Sequence, residues 1–309
     1  YYMNKLKSNR VLLDAYPSVL KRQISDEKFS ASFNKKMKSY LSQVESYFSK
    51  HGWRDRLVFN SPIDEPNTKE DYEETRQWAK LVREATSSRE PFLSTESPVT
   101  DNPDWGTLRG YVNSFSIHGN ALNDHEVKAA IKEEQAKGGE MTWYISCDQT
   151  YPQPNYFIDA PAMDPVMIPW VTSGYQMAGI LYWAANFWSE TPDPWLDAIT
   201  FISGFLCSDG YLLNGEGSLL YPGDHVKRFT GQPDVDGPVS SLRFELLREG
   251  IEDYEYINML KDLGDREFAD SVVRGMVIDV STFSRNRDDL YAARRAMAQR
   301  LEKLAANKK

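Results

Sequence analysis

Between Val11 and Ala185, short apolar runs alternate with longer segments whose apolar residues recur at helical spacing, and this feature restricts the fold more than any other. The runs at 11–13, 57–65, 92–96, 112–117, 141–146 and 179–185 are too short to stand as helices and read as buried strands. Between them, Phe33, Met37, Tyr40, Leu41, Val44, Tyr47 and Phe48 share one helical face. Tyr72, Thr75, Ala79 and Val82 share another, behind a Thr68–Asp71 capping box. Asn123 is expected to cap a third helix, and residues 165–177 to form a fourth. Each return between strands is long enough for a helix, which dictates parallel pairing.

The expected fold class is therefore α/β, and within it a (β/α)8 TIM-type barrel. A barrel is preferred to a doubly wound sheet because polar or aromatic residues close almost every strand: Glu65, Glu96, His118, Asp148 and Trp188. Two strands cannot be placed, one ahead of Tyr1 and one between Leu13 and Leu57, so the barrel is expected to be incomplete at its N-terminus. Past Trp188 the pattern changes. Residues 211–221 read as a hairpin turning at Asn214-Gly215, and helices follow over 242–263 and 290–304. The expected division is a barrel catalytic domain over 1–230 and C-terminal helices over 231–309 that pack on it.

Charge narrows the partners. With 36 basic against 45 acidic residues the net charge is -9, which repels nucleic acid and anionic membranes in the absence of a basic patch, and none is found. The most apolar segment, Met177 to Trp188, falls well short of the ~20 residues of a membrane span. The first residues do not resemble a signal peptide. Cys147 and Cys207 form neither a disulfide framework nor a metal knuckle and read as a chance pair or two buried thiols. Aromatic residues reach 13%, more than a core alone needs, and clefts that stack on sugar rings use such side chains.

Candidate chemistry sits at the end of the 57–65 run. Pro66 cannot donate to a sheet ladder, so the strand is expected to stop at Glu65 and to leave Asp64 and Glu65 on the carboxyl-terminal rim, where barrels do their chemistry. Adjacent strand residues face opposite ways, so the two acids share a ligand only if the strand bends there. Two close carboxyls divide into an acid and an anion, which acetal hydrolysis needs, and Glu65, partly buried, is expected to be the protonated member. The competing reading makes them ordinary acids ahead of a helix, favoured by its dipole. His51, His118, His125 and His225 lack metal-ligand spacing, so no metal and no cofactor are expected. The glycines at 215 and 217 lack the lysine of a phosphate loop, and no Gly-x-Ser-x-Gly elbow occurs. Tyr144, Trp183 and Trp188, near strand ends, are the expected stacking rings.

Four separated motifs, in order, resemble one family. They are Ile63-Asp64-Glu65-Pro66; Gly179-Ile180-Leu181-Tyr182-Trp183 with Asn186-Phe187-Trp188; Asn214-Gly215-Glu216-Gly217 with Tyr221-Pro222-Gly223; and Leu242-Arg243 through Arg248-Glu249-Gly250-Ile251-Glu252-Asp253-Tyr254-Glu255-Tyr256. Together they are similar to glycoside hydrolase family 123 and to related bacterial proteins carrying domain of unknown function 4091. The resemblance implies a (β/α)8 barrel and a retaining β-N-acetylgalactosaminidase whose nucleophile is the substrate's own acetamide. It implies Asp64 and Glu65 as the catalytic pair and a carbohydrate as the partner. Tyr144, Trp183, Trp188, His118, Glu96, Asn186 and Glu216 are the expected substrate contacts, with Glu216 standing where such proteins commonly have Asp. A secreted or cell-surface bacterial location also follows from the resemblance. Two alternatives stay open: another glycosidase with Glu65 as acid and Glu96 as nucleophile, and a non-catalytic carbohydrate-binding surface protein.

Overall fold

The computed structural model describes residues 8, 10–87, 92–95, 98–189, 193–200 and 214–306. The chain divides into two compact units. One runs to His118 and includes Asp124–Thr142; the other holds Gly119–Asn123 and the chain from Trp143 onward.

The first unit is strand-helix alternation. Its strands are β1 (Val11–Asp14), β2 (Leu57–Asn60), β3 (Phe92–Thr95), β4 (Ser114–His118) and the beginning of β5 (Glu140–Tyr144). Helices α1 (Ser18–Gln23), α2 (Ala31–Lys50), α3 (Lys69–Ala85) and α4 (His125–Ala136) connect them. β1 to β4 are parallel neighbours in chain order, with Leu13 opposite Phe59, Phe59 opposite Phe92 and Ser94 opposite Phe115. The helical faces read from the sequence enter the core in part, since Tyr40 and Val44 of α2 are half-buried and Tyr47 is exposed. Phe33, Met37, Leu41 and Phe48 of α2 are buried, as are Tyr72, Thr75, Trp78, Ala79 and Val82 of α3. Tyr16, Phe33 and Trp78 pack ring against ring with centroids 5.3 to 5.8 Å apart. Each such side chain contributes about 1.5 to 3 kcal/mol by leaving water. The Thr68–Asp71 capping box starts α3 as expected.

Two expectations fail here for local reasons. β2 ends at Asn60, not Glu65, because Pro62 has no N–H to give and the Ser61 Oγ accepts the Ile63 N–H at 3.1 Å, closing a bend. The cap of α4 is Asp124, whose carboxylate accepts from the N–H groups of Glu126 at 2.7 Å and Val127 at 3.2 Å, and not Asn123.

The second unit carries the end of β5, then α5 (Asp164–Gly174), β6 (Gly179–Leu181), β7 (Leu220–Pro222), α6 (Val226–Thr230) and β8 (Pro238–Ser240). It closes with α7 (Leu242–Asp262), α8 (Arg266–Met276), β9 (Val277–Asp279), β10 (Thr282–Phe283) and α9 (Arg287–Ala306). Its core is α5, buried over Asp164–Ser173 and packed on α7. Gly250 permits that approach: a Cβ there would come within 2.3 Å of the Val166 carbonyl oxygen. Asp253 of α7, also buried, accepts from Trp170 Nε1 at 3.0 Å and from Arg294 of α9 at 2.6 and 2.9 Å, so the last helix is tied to the core by charge.

In the first unit β1 to β4 lie side by side in chain order, and no complete eight-stranded barrel is seen among the described residues. β6 stops at Leu181, short of Ala185, because the next residues bond elsewhere: the Ala185 carbonyl takes the Leu220 N–H at 2.8 Å and Asn186 bridges Ser218. In the expected hairpin the arm at 211–213 lies outside the described residues, and β7 pairs antiparallel with β8, Tyr221 opposite Val239. Cys147 is disulfide-bonded, which replaces the expectation of a buried thiol. α8 and the β9–β10 hairpin were not anticipated, although Ala269, Val273 and Met276, the buried residues of α8, sit at helical spacing.

Candidate active site

In the first unit, Asp64 and Glu65 stand on the bend that follows β2 at the carboxyl ends of the parallel strands. Both are exposed, so the partial burial expected for Glu65 is absent. Glu65 has φ +47°, in the left-handed region, which costs a non-glycine residue about 1 kcal/mol or more. The strand alternation that would send neighbours to opposite faces has ended at Asn60, and this turn takes the two carboxylates further from it. Buried Pro66 fixes the chain immediately behind them. Nearby on the rim, Asn60 Nδ2 donates to Asp14 Oδ1 at 3.4 Å across the β1–β2 register. His118, last residue of β4, is half-buried. Glu96 lies outside the described residues.

In the second unit the centre is Glu216, only 1% exposed. It sits on the Asn214–Ser218 turn, where Gly215 and Gly217 take φ +76° and +64°. A Cβ on Gly217 would press to 2.6 Å of the Trp183 ring, so the turn and that ring fit only with glycine between them. The Glu216 carboxylate accepts from Trp183 Nε1 and from the Tyr182 hydroxyl. That hydroxyl in turn accepts the Gly217 N–H at 2.9 Å. Arg243, 9% exposed at the start of α7, donates to the carbonyls of Tyr156 at 2.7 Å, Gly215 at 2.8 Å and Ser218 at 2.5 Å, clasping the turn from behind. Burial raises the Glu216 pKa to about 7 against the pull of Trp183, Tyr182 and Arg243, and the Asp148 charge raises it further. Tyr182 is pushed well up by burial and by Glu216. Asp148 itself is held by Ser146 Oγ at 2.5 Å and Asn120 Nδ2 at 2.8 Å.

The other expected contacts divide. Trp183 keeps 42% of its surface exposed while its Nε1 serves Glu216, so it combines an open ring with a fixed orientation. Trp188 is half-buried and donates Nε1 to the Leu220 carbonyl at 3.0 Å, Asn186 is exposed, and Tyr144 is 4% exposed. Sequence reasoning missed the roles of Tyr182 and Arg243; the one signal available was that each lies inside a recognised motif. Among the described residues, no group of His, Cys, Asp and Glu could hold a metal ion, and no helix is long and apolar enough to cross a membrane.

No curated protein matches the chain. A solved structure does: a family 123 glycoside hydrolase from Clostridium perfringens, analysed for the details of glycolipid glycan hydrolysis, at TM-score 0.52 and 16% identity. The likeness covers 92% of this chain and 46% of that one, so the chain spans about half the length of that protein, and at this identity it speaks for the fold. The family model "Glycoside hydrolase 123, catalytic domain" matches residues 13–260, well over half of the sequence. The order of motifs, the fold and that match agree: the chain belongs to glycoside hydrolase family 123.

Proposed function

We propose that residues 1–230 form the catalytic domain of a retaining glycosidase acting on β-linked N-acetylgalactosamine, with the largely helical residues 231–309 packed on it and the substrate's acetamide as nucleophile. Glu65 protonates the glycosidic oxygen as its bond to the anomeric carbon breaks, and the acetamide carbonyl oxygen attacks that carbon to close an oxazolinium ring. Asp64 holds the acetamide N–H and stabilises the positive charge. Water then opens the ring at the anomeric carbon while Glu65 takes its proton, and configuration is retained.

The observation that carries this reading is the pair itself: consecutive, exposed carboxylates on the bend that follows a parallel strand, one of them in a left-handed backbone conformation. Double displacement by two carboxyls needs them on opposite sides of the bond, ~5 Å apart, which neighbouring residues rarely achieve. We assign Trp183, Asn186, Trp188, His118 and Glu96 to carbohydrate contact, with the Trp183 ring as the platform and the Glu216 carboxyl, which accepts from its Nε1, as its polar companion. Tyr144, 4% exposed, is a core residue and not the expected stacking ring. The disulfide at Cys147 supports a secreted or cell-surface location, where oxidising conditions preserve such bonds.

The test compares sugars. An aryl N-acetyl-β-galactosaminide should be hydrolysed and the matching β-galactoside, which has no acetamide, should be almost inert. Equal rates on the two would mean that the acetamide is not the nucleophile.

A further inference from the structure

Arg285 lies beyond the span that the family model matches, on the segment after β10. Its Nε donates to Asp164 Oδ1 at 2.7 Å and its terminal nitrogen to the Pro152 carbonyl at 2.7 Å. The guanidinium also lies 4.0 Å from the Phe283 ring centre and 5.0 Å from that of Tyr151. Asp164, the first residue of α5, is 1% exposed. Burial raises its pKa, and Arg285 with the Asn155 N–H works in the opposite direction. One planar cation thus fastens three things: the start of α5, the loop after β5 and the C-terminal hairpin.

That loop leads to Glu216 along several bonds. Asn155 Nδ2 donates to the Gln149 carbonyl at 2.6 Å and the Ser146 carbonyl at 3.2 Å, fixing the stretch that contains Asp148. The Tyr156 carbonyl is one of the acceptors of Arg243, and its ring centre lies 4.5 Å from that of Tyr182. The Ile158 N–H donates to the Asn214 carbonyl at 3.0 Å, and Asn214 Nδ2 donates to Asp159 at 2.6 Å. Four residues of the loop, Asn155, Tyr156, Ile158 and Asp159, therefore bear on the turn or on the groups that hold it.

We propose that Arg285 is a positioning residue for the carbohydrate locus around Glu216, acting from the C-terminal extension through the 151–159 loop. The proposal rests on the reading of Glu216 and Trp183 as sugar contacts. In it the extension does more than cover the core: it sets the place of the segment against which the Asn214–Ser218 turn is bonded. The bidentate grip matters as well as the charge, because a lysine can reach one acceptor but cannot span Asp164 and Pro152 while lying flat against Phe283.

Two measurements on the whole chain test this. Binding of N-acetylgalactosamine is followed by Trp183 fluorescence, taken as the difference between each protein and its W183F counterpart. Amide hydrogen exchange is followed over residues 146–159 and over α9. R285Q should weaken sugar binding ~10-fold and speed exchange at 146–159 while α9 stays protected, and R285K should fall between it and the unaltered protein. Should R285Q prove too unstable to purify, R285K alone decides, since it keeps the charge opposite Asp164. Unaltered exchange at 146–159 together with unaltered sugar affinity in either variant overturns the proposal. Loss of protection everywhere, α9 included, also overturns it, by showing that Arg285 holds up the unit and not the loop. If the unaltered protein binds no sugar, the assignment of Glu216 to carbohydrate fails, and faster exchange confined to 146–159 still supports Arg285 as the residue that positions the turn.

Discussion

The acids of the two units are held in opposite ways. Asp64 and Glu65 are exposed, on a strand cut short at Asn60 and a left-handed turn at Glu65. Glu216 lies out of water, and what distinguishes it is its surroundings, two aromatic donors, a buried guanidinium and a second carboxylate. A buried acid has its proton affinity set in advance by the fold. The contrast fits the division proposed above, in which Glu65 exchanges a proton with substrate and Glu216 presents a fixed hydrogen-bonding face.

The sharpest test of that contrast is at Glu65. Glu65→Gln keeps shape and removes the proton, so hydrolysis of substrates with poor leaving groups should fall ~10²- to 10⁴-fold, and activated aryl glycosides should suffer less. Asp64→Asn should slow both kinds. Steady-state rates on the two substrate classes decide it, and an unaffected Glu65→Gln variant would remove the chemistry from this rim.

At Glu216 the effect is on stability and depends on pH. Its pKa of about 7 in the folded chain lies above the ordinary value of 4.5, so the folded state holds the extra proton and gains stability from it below pH ~4.5. That gain is lost as pH rises through about 7, and by linkage it amounts to about 3 kcal/mol. Glu216→Gln, which has no proton to lose, should therefore unfold at higher denaturant than the parent at pH 8.5 and close to it at pH 4. A gap of the same size at both values would mean that burial does not govern this carboxyl.

The smallest effect returns to Glu65. Glycine adopts φ +47° without strain, so Glu65→Gly should raise stability by about 1 kcal/mol while slowing hydrolysis of substrates with poor leaving groups as Glu65→Gln does. A destabilised Glu65→Gly protein would show that the side chain, and not the turn, is what the site was built to hold.

How much of this the sequence reveals depends on the kind of force. Strands β1 to β6 are legible as short apolar runs, and helices α2 and α3 because burial repeats at helical spacing, as Phe33, Met37 and Leu41 show. The acids at 64 and 65 are legible because a proline follows them. The real end of β2 is set by the earlier proline, Pro62, and by the local bend that Ser61 Oγ closes with the Ile63 N–H. The Glu216 pocket is not legible from pattern at all. Its parts, Tyr182, Trp183, Glu216 and Arg243, are drawn together by tertiary bonds that leave no period, and only the motif order hinted that they belong together. Likewise the disulfide at Cys147 could not be read from two distant cysteines.

That disulfide has a practical consequence. Cys147 is the immediate neighbour of Asp148, whose charge bears on Glu216, so the covalent state of the sulfur and the tuning of the buried acid are a single peptide bond apart. A culture that keeps thiols reduced yields a polypeptide of the same sequence but a different molecule at this spot. Preparations made by cytoplasmic expression and by export are two distinct reagents, and the export route gives the one described here.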